Sequence, residues 1–323
     1  MHKGQDMRLL LSCVNTAVSL IGYDFEKGEP FWYCPADMLR ACGACYDGWD
    51  LLLASDNYLT RISPNGVSQA EIGGTHENLL HSVHVVADGL VGVADTGNSR
   101  IVVMDRSGTG AVAYDALGQW DDVPQDAIHI NDFIPLEDGF LASCFHYQPF
   151  RDFKAELAPG EWKTGGFGLI LELKKRRGLN VTRVAACGLD QPHSLCMHGG
   201  RVYCCSSATG DFLELSFTER GALEQTARVK ITEEHFLRGA LRAGSGWFLG
   251  GSSMRHGEGR TPMAVYRLKD TGEIRTGRVA RVGEIYDVLP WREDVMRELV
   301  PVINSLPKRD WGVGDCPPPC PYP

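Results

Sequence analysis

Residues 81–105, HSVHVVADGLVGVADTGNSRIVVMD, predict three short β-strands in succession. Runs rich in Val and Leu flank an Asp-Gly pair, which is a strong signal for a tight turn between two antiparallel strands. Thr96, Gly97 and Asn98 then interrupt the apolar pattern, and residues 100–104 resume it as a third strand. The stretch therefore predicts a unit of antiparallel β-structure.

The same pattern recurs along most of the chain. Each copy has an apolar strand, a turn with Gly, a second strand and then a small polar residue; the further copies are residues 41–62, 129–145, 193–215 and 238–254. Such units need a closed arrangement that protects their edges, and a β-propeller supplies one. We predict an all-β, six-bladed propeller over residues 8–290, with seven blades as the alternative. Residues 283–290 pair with the early strands at 9–14 and 18–24 to close the composite sixth blade.

The remaining composition narrows the function. The chain has 323 residues, 43% of them hydrophobic, and a net charge of −9, which argues against nucleic acid and anionic membranes as partners. We expect a cytoplasmic protein, because no apolar run reaches the roughly 20 residues of a membrane span and no secretory signal is evident. Residues 291–323 predict a short helix and a Pro-rich tail that carries Cys316 and Cys320.

The repeat brings five residues into one register. Superposing the starts of the first strands aligns Cys42, His81, His129, His193 and Arg238, each followed fourteen residues later by Asp or Ser. First strands of propeller blades line the central channel, so these side chains are expected to converge. Three histidines suit a catalytic zinc, and they also suit copper or iron. The alternative is a water-lined channel without metal, and Asn131 rivals His129 for its position.

Other residues have open roles. Arg238 either pairs with a carboxylate such as Glu284 or Asp287, or binds an anionic substrate. Cys42 has three open roles: a fourth metal ligand, a reactive thiolate or an inert thiol. Its CxxC spacing with Cys45 fits a zinc or redox site, and it also fits structural thiols. Tyr286 and Tyr147 are candidates for proton transfer.

Two loops and three further residues complete the candidates. Residues 146–166 and 254–262 form long loops between second and third strands, and the first is a candidate substrate lid. His84, Asp132 and Cys196 recur three positions after the aligned histidines. They either orient the metal ligands or face the other side of the strand.

The segment VADTGNSRIVVMD, residues 93–105, resembles the NHL repeat, and SSATGDFLELS, residues 206–216, resembles it more loosely. A six-bladed NHL-like propeller with one histidine from each of three blades is similar to the peptidyl-hydroxyglycine amidating lyase. That resemblance implies a channel zinc held by His81, His129 and His193. It also implies catalysis by tyrosine and arginine, for which Tyr286 and Arg238 are candidates by location.

Three functions follow as hypotheses. The first is a metal-dependent enzyme, a lyase or hydrolase, that acts on a small anionic molecule or a peptide end. The second is a propeller that binds a protein or peptide without catalysis. The third is a copper or iron oxidase that uses the same histidines.

Overall fold

The computed structural model describes residues 7–74, 76, 79–118, 125–146, 165–253, 261–279 and 281–308. Within these residues, twenty-four strands form six four-stranded antiparallel sheets. The fold is a six-bladed β-propeller, which confirms six blades over the alternative of seven. Among the described helices, none combines the length and the apolar character that crossing a bilayer requires.

Blades I to III contain half of the strands, including the last strand of the chain. Blade I consists of β24 (Glu284–Pro290), β1 (Arg8–Val14), β2 (Val18–Asp24) and β3 (Glu29–Pro35). Blade II consists of β4 (Gly43–Asp47), β5 (Asp50–Ser55), β6 (Tyr58–Ser63) and β7 (Gly66–Glu71). Blade III consists of β8 (Leu80–Ala87), β9 (Leu90–Asp95), β10 (Arg100–Asp105) and β11 (Val112–Asp115), with a 3-10 turn (Thr96–Asn98) after β9.

Blades IV to VI repeat the same strand order. Blade IV consists of β12 (Ile130–Leu136), β13 (Gly139–Cys144), β14 (Gly168–Arg176) and β15 (Leu179–Leu189). Blade V consists of β16 (Pro192–His198), β17 (Arg201–Ser206), β18 (Asp211–Phe217) and β19 (Leu223–Lys230). Blade VI consists of β20 (His235–Ala243), β21 (Gly246–Ser253), β22 (Ala264–Lys269) and β23 (Ile274–Arg278).

The turn between β16 and β17 shows why the sequence produces hairpins. His198 pairs with Arg201, so Gly199 and Gly200 alone make the connection. Their φ angles are 58° and 76°. A two-residue turn with both central φ angles positive matches the right-handed twist of the strands, and glycine adopts it without a steric penalty.

Blade I joins the two ends of the predicted propeller segment. β24 pairs antiparallel with β1, with Leu10 opposite Leu289 and Leu9 opposite Pro290. β1 pairs in turn with β2, with Leu11 opposite Ile21. The predicted closure of the composite blade is therefore confirmed.

The chain forms two compact units. One contains Met1–Leu53, Thr60–Gln69 and Glu234–Pro323, and the other contains Ala54–Leu59 and Ala70–Glu233. Each unit holds two apolar clusters. Those of the first unit centre on Phe248 and on Leu51, and those of the second centre on Phe133 and on Leu213.

Helix α1 (Glu293–Asn304) follows β24 within the segment predicted to be helical. It packs as part of the first unit rather than standing apart from the sheets. Its apolar face, Val295, Met296, Leu299 and Ile303, joins the cluster around Leu51. The predicted Pro-rich tail, with Cys316 and Cys320, lies outside the described residues.

The packing of α1 makes a stability prediction. Leu299 is fully buried, so we expect Leu299→Ala to lower the free energy of unfolding by about 2–5 kcal/mol, through lost burial and the cavity left behind. Glu298→Ala, at an exposed neighbouring position, should change it by no more than about 0.5 kcal/mol. Urea denaturation of both variants checks this. Equal effects would show that α1 does not stabilise the blades.

Candidate functional site

The three predicted histidines stand at the starts of the first strands of blades III, IV and V. His81 is the second residue of β8, His129 immediately precedes β12, and His193 is the second residue of β16. All three belong to the second compact unit. The three histidines therefore occupy equivalent positions in their blades to within two residues, as the repeat predicted.

A β-bulge disturbs each of these strands near its histidine. The pairing register shifts between Leu80 and Val83 in β8, between Ile130 and Asp132 in β12, and after His193 in β16. His129 itself has a φ of 52°. Bulges turn side chains away from the regular alternation of a strand, and they occur often beside active sites.

The structure brings two of the three imidazoles together. The ring centroids of His81 and His129 lie 5.1 Å apart. Phe145 stacks on His129 at 4.3 Å and also meets His193 edge-on at 5.0 Å. The Phe145 ring therefore contacts both His129 and His193. Within the described residues, no group of three or more His, Cys, Asp or Glu side chains has a metal-binding arrangement.

Hydrogen bonds fix the tautomer of His81 and His193 in the same way. Nδ1 of His81 lies 3.0 Å from the carbonyl two residues earlier and 2.8 Å from the Thr96 hydroxyl. Nδ1 of His193 has the same two kinds of partner at 3.0 Å and 2.8 Å, the hydroxyl being that of Ser207. A carbonyl only accepts, so Nδ1 carries the hydrogen and the lone pair of each ring is on Nε2.

His129 reaches the same state with a carboxylate. Its Nδ1 lies 2.7 Å from Oδ1 of Asp126, which accepts the hydrogen bond. A carboxylate on one ring nitrogen orients the imidazole and makes the other nitrogen more basic. In their neutral form, all three predicted histidines thus carry the electron pair on Nε2, which is the tautomer needed for a metal ligand or a general base.

His84 and Asp132 pair with each other. Nε2 of His84 lies 2.7 Å from Oδ1 of Asp132, and the ring packs edge-on against Phe133 at 4.9 Å. The Nδ1 atoms of His81, His129 and His193 have other partners. Of the two roles predicted for His84 and Asp132, the structure therefore favours the second, in which these side chains face elsewhere and do not orient the predicted metal ligands.

Arg238 lies in the first unit and is paired with a protein carboxylate. Its guanidinium donates to Glu284, and both residues are 4% exposed. Asn15 donates to the other oxygen of Glu284 at 2.5 Å. The guanidinium carbon also lies 4.4 Å from the ring centroid of Tyr286 and 4.7 Å from that of Phe236. The first of the two predicted alternatives, an internal ion pair, is the one observed.

The other predicted residues are placed as follows. Cys42 precedes β4, is partly buried, and its carbonyl accepts a hydrogen bond from the Ser12 hydroxyl at 2.6 Å. Arg238 is the fourth residue of β20 rather than the first, because that strand begins at His235. Tyr147 lies outside the described residues, as do the central parts of both predicted loops.

Sequence reasoning missed Phe145 and Asp126. Phe145 directly follows β13, and it was counted only as the end of a repeat. Asp126 stands three residues before His129, in a turn with a φ of 55° at Asp126. A carboxylate three residues from a candidate histidine was the signal available for Asp126, whereas the sequence carries no signal for the position of the Phe145 ring.

Comparison with known proteins identifies the fold. No known protein family and no curated protein matches the chain. A protein of unknown function from Bacteroides caccae matches with a TM-score of 0.63 and 13% identity, over 89% of this chain and 100% of that one. A nidogen/laminin complex matches with a TM-score of 0.55 and 12% identity, over 87% and 97%. A streptogramin B lyase matches with a TM-score of 0.50 and 8% identity, over 86% and 85%.

These similarities define the class of protein. At such low identities they show the propeller fold alone, and the structures include both a lyase and a protein complex. Function therefore has to be argued from the residues of the site.

The buried ion pair makes a second prediction. Arg238→Met removes the positive charge and leaves Glu284 buried without its guanidinium partner, so we expect a loss of about 3–5 kcal/mol in the free energy of unfolding. The double variant Arg238→Met with Glu284→Gln should regain most of that loss. Arg275→Met removes the exposed ion pair with Glu26 and should cost less than about 1 kcal/mol. A double variant no more stable than Arg238→Met would contradict this account.

Proposed function

We propose that the protein is a metal-dependent enzyme, of lyase or hydrolase type, that acts on a small anionic molecule or a peptide end. The observation that carries the proposal is the matched state of His81, His129 and His193. In the neutral form, each ring has its Nδ1 hydrogen bound by the protein and its electron pair on Nε2.

The donor set fits a divalent first-row transition metal, with zinc foremost and copper or iron also suited. Neutral imidazoles with a second hydrogen bond on the far nitrogen are common ligands of these ions. Two imidazoles that share an ion at a bond length of about 2 Å have ring centroids about 5 Å apart, which matches the spacing of His81 and His129. His81 and His129 are therefore the proposed ligands.

His193 takes a different place in the proposal. Phe145 contacts its ring as well as that of His129, so His193 joins the ligands only where the Phe145 ring allows it. With its hydrogen on Nδ1, Nε2 of His193 can accept a proton from a substrate. When bound, the ion supplies Lewis-acid activation of a carbonyl or lowers the pKa of a bound water.

The charge balance supports an anionic substrate. The imidazoles are neutral donors, and Asp126 is the carboxylate that hydrogen-bonds a proposed ligand. A divalent ion in this setting keeps a net positive charge, which an anionic substrate group would neutralise. Arg238 is already paired with Glu284, so it is not the proposed source of that charge. The NHL type of blade and the likeness to the amidating lyase remain part of this proposal.

Metal analysis tests the proposal. We expect the purified protein to bind about one equivalent of zinc, and His81→Ala or His129→Ala to abolish that binding, because each removes a nitrogen ligand. Asp126→Asn should weaken zinc affinity by about 10- to 100-fold, since the amide orients the imidazole less well. Elemental analysis and competition with a chromophoric chelator measure both effects.

The control is His198→Ala, which removes an exposed histidine at the end of β16. It should leave zinc content unchanged. Zinc binding that is lost equally in all variants, or that is absent from the wild type, would refute a metal site at His81 and His129. An ordered paramagnetic copper or iron in its place would favour the oxidase.

Phe145 offers an independent test of the ligand set. Phe145→Ala should raise zinc affinity by about tenfold or more, because removal of the ring lets His193 approach the ion. Adding His193→Ala should cancel that gain, whereas His193→Ala alone should affect affinity little. If His193→Ala alone abolishes binding, His193 is already a ligand and the role given to Phe145 is wrong.

A further inference from the structure

Two buried amide groups flank the histidines without hydrogen-bond partners for one atom each. Asn131 is 3% exposed and Gln191 is 2% exposed. Among the described residues, Oδ1 of Asn131 and Nε2 of Gln191 have no hydrogen-bond partner. Buried polar atoms are paired in the great majority of cases, so each exception requires an explanation.

The side chain of Asn131 reaches the backbone next to Gln191. Nδ2 of Asn131 donates to the carbonyl of Pro192 at 3.2 Å, and Pro192 directly follows Gln191. The other amide atom of Asn131 is the unpaired oxygen. This hydrogen bond therefore holds the Asn131 amide, with its unpaired acceptor Oδ1, close to Gln191, the residue that carries the unpaired donor Nε2.

Both amides belong to the histidine site. Asn131 lies at the bulge of β12, two residues after His129. Gln191 has a φ of 50°, and its carbonyl accepts from Nδ1 of His193. A left-handed backbone at a residue other than glycine is uncommon, and such residues cluster at ligand sites. Asn131 and Gln191 thus each stand two residues from one of the two histidines that contact Phe145.

The chemistry of the two atoms complements a hydroxyl group. Oδ1 of Asn131 accepts a hydrogen bond, and Nε2 of Gln191 donates one. A hydroxyl satisfies both, because it donates and accepts at one atom. A carboxylate oxygen would face the Asn131 oxygen without a hydrogen between them, and an ammonium group would leave the Gln191 donor unpaired.

We infer that Asn131 and Gln191 form a subsite for a hydroxyl group of the substrate. The two amides account for the hydroxyl group only, and the anionic part of the ligand rests on the proposed function. Together they define a chemical class of ligand, a small hydroxylated anion. The anionic group faces the charge held at the histidines, and the hydroxyl occupies the two amides. Binding through the amides requires no metal.

The experiment compares two anions of equal chain length. Threonate carries hydroxyl groups, and butyrate carries none. Calorimetric titration of the protein, with zinc and again with a chelator, should show threonate binding more tightly than butyrate in both conditions. A hydrogen-bonding subsite should discriminate by about tenfold or more.

The variants assign that preference to the amides. Gln191→Met keeps the side-chain length and removes the whole amide, the unpaired donor included, so it should lose the preference for threonate. Asn131→Leu should lose it as well, together with the bond to Pro192. Asn180→Leu is the matched control, because Oδ1 of Asn180 on β15 is also buried and unpaired. It should keep the preference.

The outcomes separate the two proposals. If threonate binds no better than butyrate, the amides hold an ordered water and the inference fails, whatever the zinc content. If acetamide binds in a Gln191-dependent way and threonate does not, the subsite takes a carboxamide and the hydroxyl assignment fails. If the wild type lacks zinc but keeps an amide-dependent preference for threonate, the metal proposal fails and the subsite remains.

Discussion

At three places a hydroxyl of one blade hydrogen-bonds the backbone at the start of the next blade's first strand. Thr96, which follows the second strand of blade III, donates to the carbonyl of Ile130 at the start of β12. In the same manner Ser252 of β21 donates to the carbonyl of Ile285 at 3.1 Å and accepts from its N–H at 3.1 Å. Ser12 of β1 donates to the carbonyl of Cys42. The constraint is a short polar contact that fixes the register of one blade against the next.

That constraint connects the fold to the site. The Thr96 hydroxyl that fixes Ile130 also accepts from Nδ1 of His81, so one side chain fixes the position of β12 and the tautomer of His81. Ser207 gives His193 the same partner in blade V. Thr96 is therefore both a contact between blades and a support for the imidazole of His81, and Ser207 supports the imidazole of His193.

The sequence was sufficient for the fold because the blade is a local unit that repeats. Strand alternation and the Asp-Gly and Gly-Gly turns are local signals, and they located the hairpins of blades III and V. The pairing of β24 with β1 was predicted by counting strands, because a closed propeller needs four strands in every blade. The start of β20 was missed by three residues, because His235 to Leu237 lack the pattern of the other strand starts.

The site was less predictable because it depends on contacts between residues distant in sequence. Superposition of the repeats placed His81, His129 and His193 at equivalent positions, but it carried no information on bulges. It also gave no reason to place Phe145 against two of the rings. Arg238 illustrates the same limit: its partner Glu284 was one of two candidates, and the other, Asp287, accepts a hydrogen bond from the N–H of Ala44 at 2.7 Å.

We propose that His81 and His129 share one metal ion through Nε2. Anomalous diffraction at the zinc absorption edge, from crystals grown with zinc, tests it most directly. The account predicts a single strong peak about 2.1 Å from Nε2 of both rings, with Asp126 still bonded to Nδ1 of His129. No peak at the two rings, or rings whose Nε2 atoms donate hydrogen bonds to the protein, would contradict it.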